Sequence, residues 1–292
     1  MTKKLYAYSK GMRRAALIKD TLWYIGATFL VLLFFFPYFW TVSSSLKHPS
    51  ELFTFPPQML PATPQWHNYV RVFEKVPFMT WTLNTLYLVV LGTVGRLLSA
   101  SLASFAFARA QFRGKGLLFL ITLGTMMLPA QVTLIPQFVL FHKLGWINTL
   151  KPLWVPAWFG GGAFAIFLLR QFMMTLPKDL DESAFIDGAS TLCIFWNIIL
   201  PLCTAPLATL AVISTISQWN AFIGPLIYIR SAKLLTIAVG LNYLKNQPEL
   251  GGQPMQHLLM AASVMSTMPL IILFFSAQKY FVRGIAMTGL KG

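Results

Sequence analysis

Hydrophobic positions along the chain fall into six long apolar runs separated by polar segments. About 20 consecutive apolar residues cross a bilayer as a helix, because lipid offers the backbone no hydrogen-bond partners. Each run reaches this length, so the pattern predicts an all-α membrane protein. The predicted spans are about Leu22–Ser43, Trp81–Phe107, Leu117–Phe141, Leu153–Met173, Pro201–Ile227 and Leu258–Tyr280. Residues 1–20 are then an N-terminal segment and residues 21–292 a single transmembrane domain.

The composition supports a membrane class. Charged residues make up 11% of the 292 positions and hydrophobic residues 56%, whereas soluble domains carry about 25% charged residues. The net charge of +15 does not form one basic stripe, because most Lys and Arg side chains lie at the ends of apolar runs. That placement is typical of anchoring at lipid headgroups, and no nucleic-acid partner is expected.

The distribution of basic residues gives an orientation. With a cytoplasmic N-terminus, fourteen Lys and Arg lie inside, eight lie outside and Arg96 remains within the membrane, which satisfies the positive-inside rule. An even number of spans then places both termini in the cytoplasm. Two outer loops, residues 48–80 and 231–256, are either solvated connectors or surfaces for an external partner.

Residues that carry chemistry are sparse. Two cysteines and four scattered histidines form no metal-ligand spacing, and there is no Ser-His-Asp arrangement and no GxxxxGK[ST] phosphate loop. We therefore expect no catalytic site, no bound metal and no nucleotide on this chain. The six apolar runs contain no Asp or Glu, which argues against the alternative of an ion-gradient-driven secondary transporter or channel.

Acidic residues gather in one predicted cytoplasmic loop, residues 177–200, which holds four of the eight in the chain. Pro177 suits the first turn of a helix, Gly188 suits its left-handed end and Ser190 can cap a second helix. Three acids lie near the positive end of the first helix dipole: Asp179, Asp181 and Glu182. The pattern predicts two short helices at the membrane surface. On these signals alone, they are either an amphipathic connector or a docking surface.

The loop also resembles a known motif. Glu182-Ser183-Ala184, then Asp187-Gly188-Ala189 and later Leu200-Pro201, is similar to the EAA loop of ABC importer permeases, with Ser183 where Ala is usual. Trp219-Asn220-x-Phe222 resembles a signature of maltose-type carbohydrate permeases, with Ala221 in place of Glu. The chain is thus identified as a member of the binding-protein-dependent permeases.

The resemblance implies a type I ABC importer permease fold in a bacterial inner membrane. It implies three partners: a second homologous permease subunit, an ATPase dimer that binds ATP and Mg, and an external solute-binding protein. It also implies that eight loop residues dock the ATPase, namely Glu182, Ser183, Ala184, Phe185, Ile186, Asp187, Gly188 and Ala189. The C-terminal residues 289–292 either enter the ATPase interface or fray.

Candidates for contact with substrate are few. Arg96 lies deep in the second run and is either a pathway cation for an anionic substrate or a structural donor to backbone and polar groups. Gln218, Trp219 and Asn220 offer a stacking ring and amides for sugar hydroxyls, or else packing and contact with a binding protein. An acidic alginate-like oligosaccharide, a neutral oligosaccharide and glycerol phosphate all remain open as substrates.

Overall fold

The computed structural model describes the backbone of residues 2–246 and 255–288 and the side chains of residues 18–246 and 255–278. This part of the chain is helical and contains no β-strand. Its α-helices are α1 Thr2–Ser45, α2 His67–Lys75, α3 Phe78–Arg109, α4 Lys115–Gly124, α5 Ala130–Lys143, α6 Lys151–Trp154, α7 Ala163–Thr175, α8 Asp179–Ile186, α9 Thr191–Ile194, α10 Leu200–Leu202, α11 Thr204–Trp219, α12 Ile223–Tyr228, α13 Ile237–Lys245 and α14 Gln256–Thr288. The all-α class is confirmed.

Backbone contacts divide the chain into two units, Met1–Val72 with Met255–Val264, and Phe73–Pro254 with Met265–Gly292. In the first unit the end of α1 is held by one side-chain amide. Asn68 donates to the carbonyl oxygens of Ser45 at 2.9 Å and Lys47 at 3.1 Å. Buried Lys47 donates from Nζ to the Gln58 carbonyl at 2.6 Å. Burial lowers the pKa of Lys47, and the nearby Glu51 carboxylate offsets part of that shift.

The second unit is built around α3, which packs against α7 and α11. Small residues allow this close approach, as is usual between helices in lipid. Where the helices meet, hydroxyls bridge them: Thr93 donates to Ser214 Oγ at 3.2 Å, and Ser104 donates to the Ile166 carbonyl at 2.9 Å. Polar contacts on both sides therefore fix the register of α3 against its neighbours.

Six spans are present only if bent helix pairs are counted as single spans. Four continuous stretches of the described chain are long and apolar enough to cross a membrane: Ile18–Ser45, Phe78–Arg109, Lys151–Thr175 and Gln256–Gln278. Two further spans are pairs of helices that meet at 101° and 77°. Each predicted run overlaps one of these stretches. The pair at the fifth run, Thr191–Leu202 with Thr204–Trp219, begins and ends before the predicted residues 201–227 do, and the third, fourth and fifth runs are not straight helices.

The expectation of one helix through residues 117–141 is wrong, because the pair α4–α5 bends by 101° at Leu128–Pro129. Leu128 is extended, with ψ at 119°, as steric conflict with a following proline requires. Pro136 lies inside α5 and does not end the helix. Of the two prolines in this run, only the first breaks it.

The predicted fifth span, residues 201–227, also divides. Cys203 has ψ at 16° and separates α10 from α11, and the helical stretch Thr191–Leu202 meets α11 at 77°. Pro206, four residues after Leu202, has no N–H to continue the helix and its ring opposes the Leu202 carbonyl. A second break at Asn220–Phe222 precedes α12. Proline positions therefore set direction changes within an otherwise continuous apolar run.

The predicted fourth span, residues 153–173, is interrupted at its centre. A short 3-10 helix, Val155–Trp158, follows α6, and α7 begins only at Ala163. Between them Gly160, Gly161 and Gly162 have φ values of +90°, +65° and +92°. Side chains strongly disfavour this region of backbone space, so the three glycines produce a break that the apolar pattern alone does not reveal.

We expect Gly240→Ala to destabilise the second unit. A Cβ on Gly240 would lie 2.2 Å from the ring of Trp81, which is fully buried, and overpacking of this kind costs about 1–3 kcal/mol. The midpoint of thermal unfolding in detergent should fall by several degrees. Gly116→Ala is the matched control, because it is helical with nothing within 4 Å. Equal midpoints for the two variants would contradict the packing described.

Candidate functional site

The 177–200 loop folds as two short helices joined by a left-handed turn, as predicted. Gly188 has φ at +81°. Its N–H donates to the Phe185 carbonyl at 3.0 Å, and the Ala189 N–H donates to the Ala184 carbonyl at 2.9 Å. This pair of bonds is the Schellman motif that closes a helix C-terminus. Ser190 then caps α9 by accepting from the Cys193 N–H at 3.3 Å.

One detail of the loop differs from expectation. Helix α8 begins at Asp179, and the Lys178 carbonyl accepts its first bonds, from the amides of Asp181 and Glu182. Pro177 therefore precedes the helix and does not occupy its first turn. The three acids of α8 do lie in its first turn, where the helix dipole favours negative charge.

The inner side of the loop joins the core of the second unit. Ala184 is 8% exposed and belongs to an apolar cluster with Ile194, Phe195 and Ile199. Phe195 also meets Phe105 of α3, with ring centroids 5.2 Å apart. The small side chain at position 184 lets α8 lie close to this cluster. The loop is therefore anchored to the bundle along one side.

The outer side of the loop presents apolar side chains to solvent. Ile186 is 86% exposed and Phe185 is 54% exposed. Four other predicted docking residues are exposed with them, namely Glu182, Ser183, Asp187 and Gly188, while Ala189 is half-buried. The structure thus brings the eight predicted residues into one segment and leaves every one except Ala184 accessible.

An ion pair that the sequence does not reveal ties the loop to α3. Arg109, the last residue of α3, places Nε 3.0 Å from Asp181 Oδ2, and the two side chains are only 8% and 14% exposed. Arg109 also donates to the Leu176 carbonyl at 3.1 Å. A pocket of about 350 Å³ lies beside this pair, lined in part by Glu182 and Phe185. Asp181 thus joins α8 to the end of α3.

The predicted substrate-contact residues do not converge on one pocket. Gln218 lies against Gly92 of α3. Trp219 is 6% exposed and donates from Nε1 to the Ser266 carbonyl at 3.1 Å. Asn220 is exposed and donates to the Ile216 carbonyl at 2.9 Å. The Trp219 ring is therefore used in packing, whereas the amides of Gln218 and Asn220 lie nearer the surface.

Arg96 lines a separate cavity of about 160 Å³. The other lining residues come from the glycine break and the start of α7 (Gly161, Gly162, Ala163, Phe164 and Ala165) and from α11 (Leu210 and Ile213). The glycine run could have drawn attention to this place, since consecutive glycines inside an apolar run signal a break. Across the described residues, no group of three His, Cys, Asp or Glu side chains could hold a metal ion.

A family model described as the binding-protein-dependent transport system inner membrane component matches residues 95–287, more than half of the chain. The chain belongs to this family.

Curated relatives align over nearly the full chain. The arabinooligosaccharides transport system permease protein AraQ of Halalkalibacterium halodurans is 31% identical, with 96% of this chain and 99% of the relative covered. The trehalose/maltose transport system permease protein MalG of Thermococcus litoralis is 32% identical at the same coverage. The sn-glycerol-3-phosphate transport system permease protein UgpE of Yersinia pestis is 30% identical over 87% of this chain and 92% of the relative.

Solved structures show the same fold. One chain of a bacterial ABC transporter involved in the import of the acidic polysaccharide alginate superimposes with a TM-score of 0.82. The two are 25% identical, and the match covers 92% of this chain and 98% of the other. The ABC importer permease fold is thereby confirmed.

The Arg109–Asp181 pair can be tested with a double-mutant cycle. Arg109→Gln and Asp181→Asn each leave a nearly buried partner without its counter-charge, so amide exchange in α8 should quicken about tenfold, or about 1.4 kcal/mol. The double variant should exchange no faster than Arg109→Gln alone, since the pair is already broken. Hydrogen-exchange mass spectrometry measures this directly.

Arg113→Gln is the control for the loss of charge, because Arg113 is exposed four residues further along. It should leave α8 unchanged. Additive effects of the two single substitutions would show that Arg109 and Asp181 act independently.

Proposed function

We propose that this chain is the permease subunit of an ATP-driven importer and that residues 177–200 dock a separate ATPase. The observation that carries the proposal is the pair of exposed apolar side chains on α8. Ile186 and Phe185 are 86% and 54% exposed on a helix closed by a hydrogen-bonded turn. Apolar anchors on a rigid element are typical of the energetically dominant part of a protein interface.

The loop is built to transmit force. Ala184 and the Arg109–Asp181 pair fix its inner side to the bundle, so a displacement of α8 moves the end of α3 with it. Closing of the ATPase dimer on ATP and Mg would then reorient helices around the pathway, since packed helices switch between discrete arrangements. This chain hydrolyses no ATP in the proposal; its part is mechanical.

The cargo proposed is a carbohydrate. Support comes from the relatives, which include subunits named for arabinooligosaccharide and for trehalose and maltose transport, and from the alginate importer fold match. A second homologous permease subunit would complete the pathway, and an external solute-binding protein would deliver the sugar. The proposed location is a bacterial inner membrane with both termini cytoplasmic. Residues 289–292, for which the sequence left open either entry into the ATPase interface or fraying, lie outside the described residues.

Gly188→Val should abolish docking. The φ of +81° at this turn is strongly unfavourable for a β-branched residue, so the turn would open and α8 and α9 would lose their fixed angle. Gly188→Asn is the matched control, because Asn tolerates left-handed backbone. Pull-down through a tagged ATPase subunit should recover the Asn variant and lose the Val variant. Recovery of both with full ATP-driven uptake would refute the assignment.

Ile186→Asp should weaken ATPase recovery at least tenfold while leaving the fold intact, because the side chain is almost fully exposed in the isolated chain. Ile186→Val, which keeps most of the apolar surface, should retain docking. The readouts are the same pull-down and the thermal midpoint of the permease alone. Normal ATPase recovery with Ile186→Asp would show that this face is a connector at the lipid surface.

A further inference from the structure

The break in the fourth span forms a cavity around a single cation. Gly161 lies directly against α3, where an added Cβ would come within 2.5 Å of the Arg96 carbonyl oxygen and 2.7 Å of Ala100 Cβ. The first helical residue after the break, Ala163, lines the cavity together with Arg96. One wall is therefore the N-terminus of α7, and another is the middle of α3.

Arg96 lies at membrane depth. It is 13 residues from Arg109 along α3, or roughly 20 Å at the helical rise per residue. Charged side chains at such depth are rare and usually serve a pathway or a partner. Within the described part of the chain, the buried Nε of Arg96 has no hydrogen-bond partner. The Nε of this guanidinium is thus buried beside the cavity without a hydrogen bond.

Other side chains make the hydrogen bonds that hold the residues before the break against α3. Ser99 donates to the Ala157 carbonyl at 2.9 Å, and Trp158 donates from Nε1 to the Leu91 carbonyl at 3.1 Å. These two bonds tie the 3-10 segment to α3 without the Arg96 guanidinium. A purely structural role for Arg96 would place its donors on such carbonyls, so the geometry favours a role in binding.

The cavity is electropositive and has no internal counter-charge. None of its lining residues is acidic. The 13-residue helix α7 points its N-terminus at the same space, where the helix dipole contributes partial positive charge and the first backbone amides lack intrahelical acceptors. Broken helices with this arrangement suit anionic groups within membrane proteins.

We infer that the Arg96 cavity is an anion subsite that selects carbohydrates bearing a carboxylate or a phosphate. The inference rests on the proposed function and adds the substrate class. Arg96 supplies a planar set of donors that matches either oxyanion. The cavity has a volume of about 160 Å³, whereas pockets that hold a whole ligand have about 300–1,000 Å³. It therefore binds one charged group, and the rest of the sugar lies in the pathway.

Neighbouring side chains extend the site along α3. Gly92 and Arg96 are one helical turn apart, about 6 Å along the axis, and the Gln218 amide lies against Gly92. Phe164, 46% exposed, lines the cavity beside Arg96. An aromatic ring beside the guanidinium and an amide one helical turn away thus supply contacts for the apolar ring face and the hydroxyls of an acidic sugar.

The test uses the assembled importer in nanodiscs without its binding protein. Equilibrium binding is measured for three probes: trigalacturonate, glucose 6-phosphate and neutral maltotriose. We expect at least one acidic probe to bind tenfold or more tightly than maltotriose, and the two acidic arms separate carboxylate from phosphate recognition. Arg96→Gln should remove this preference, and ATPase recovery checks that the variant importer assembles. Arg113→Gln, which removes an exposed cation, should keep it.

A second measurement covers the case in which Arg96→Gln fails to assemble. On the wild-type importer, the preferred acidic probe should protect Arg96 from phenylglyoxal and leave Arg113 reactive, as read by mass spectrometry. The inference is overturned if neither acidic probe is preferred, if Arg96→Gln keeps the preference, or if the probe does not protect Arg96. Each of these outcomes can occur with ATPase docking intact, so failure here differs from failure of the proposed function.

Discussion

Close packing of α3 is the constraint on which the rest of the second unit depends. Burial of apolar surface gives helices in lipid little reason to associate, so small residues and interhelical hydrogen bonds must hold them together. Gly92 and Gly95 meet that need by admitting the side chains of Gln218 and Trp158 against the helix backbone. The same helix carries Arg96 at its middle and Arg109 at its end. The helix packing, the Arg96 cavity and the Arg109–Asp181 ion pair therefore all depend on α3.

Much of this architecture could be predicted from local pattern. The lengths of the apolar runs predicted where long apolar helices overlap each run. Gly188 and Ser190 marked the turn of the 177–200 loop, because backbone sterics and helix capping act within a few residues. The bends within these apolar runs could not be predicted in the same way. Pro129 breaks its helix whereas Pro136 does not, and only the surrounding packing decides between them.

Contacts between distant residues were also beyond local pattern. Nothing near Asp181 in sequence identifies Arg109 as its partner, since the two meet only after α7 returns the chain to the end of α3. The glycines at 160–162 were visible as a composition signal, but only the fold shows that Gly161 fits against Ala100. Trp219 shows the reverse case: a residue type suited to stacking on sugars is in fact buried and bonded to Ser266.

The exposed length of α1 has a consequence for how that helix is oriented about its own axis. Its side chains from Leu22 to Leu33 include no buried member, and apolar residues occur all round the helix. A uniformly apolar cylinder gains nothing from presenting one side to lipid in preference to another. Its rotational setting must come from its polar end, where Asn68 binds the Ser45 and Lys47 carbonyls. These two amide hydrogen bonds thus set the rotation of α1 about its own axis.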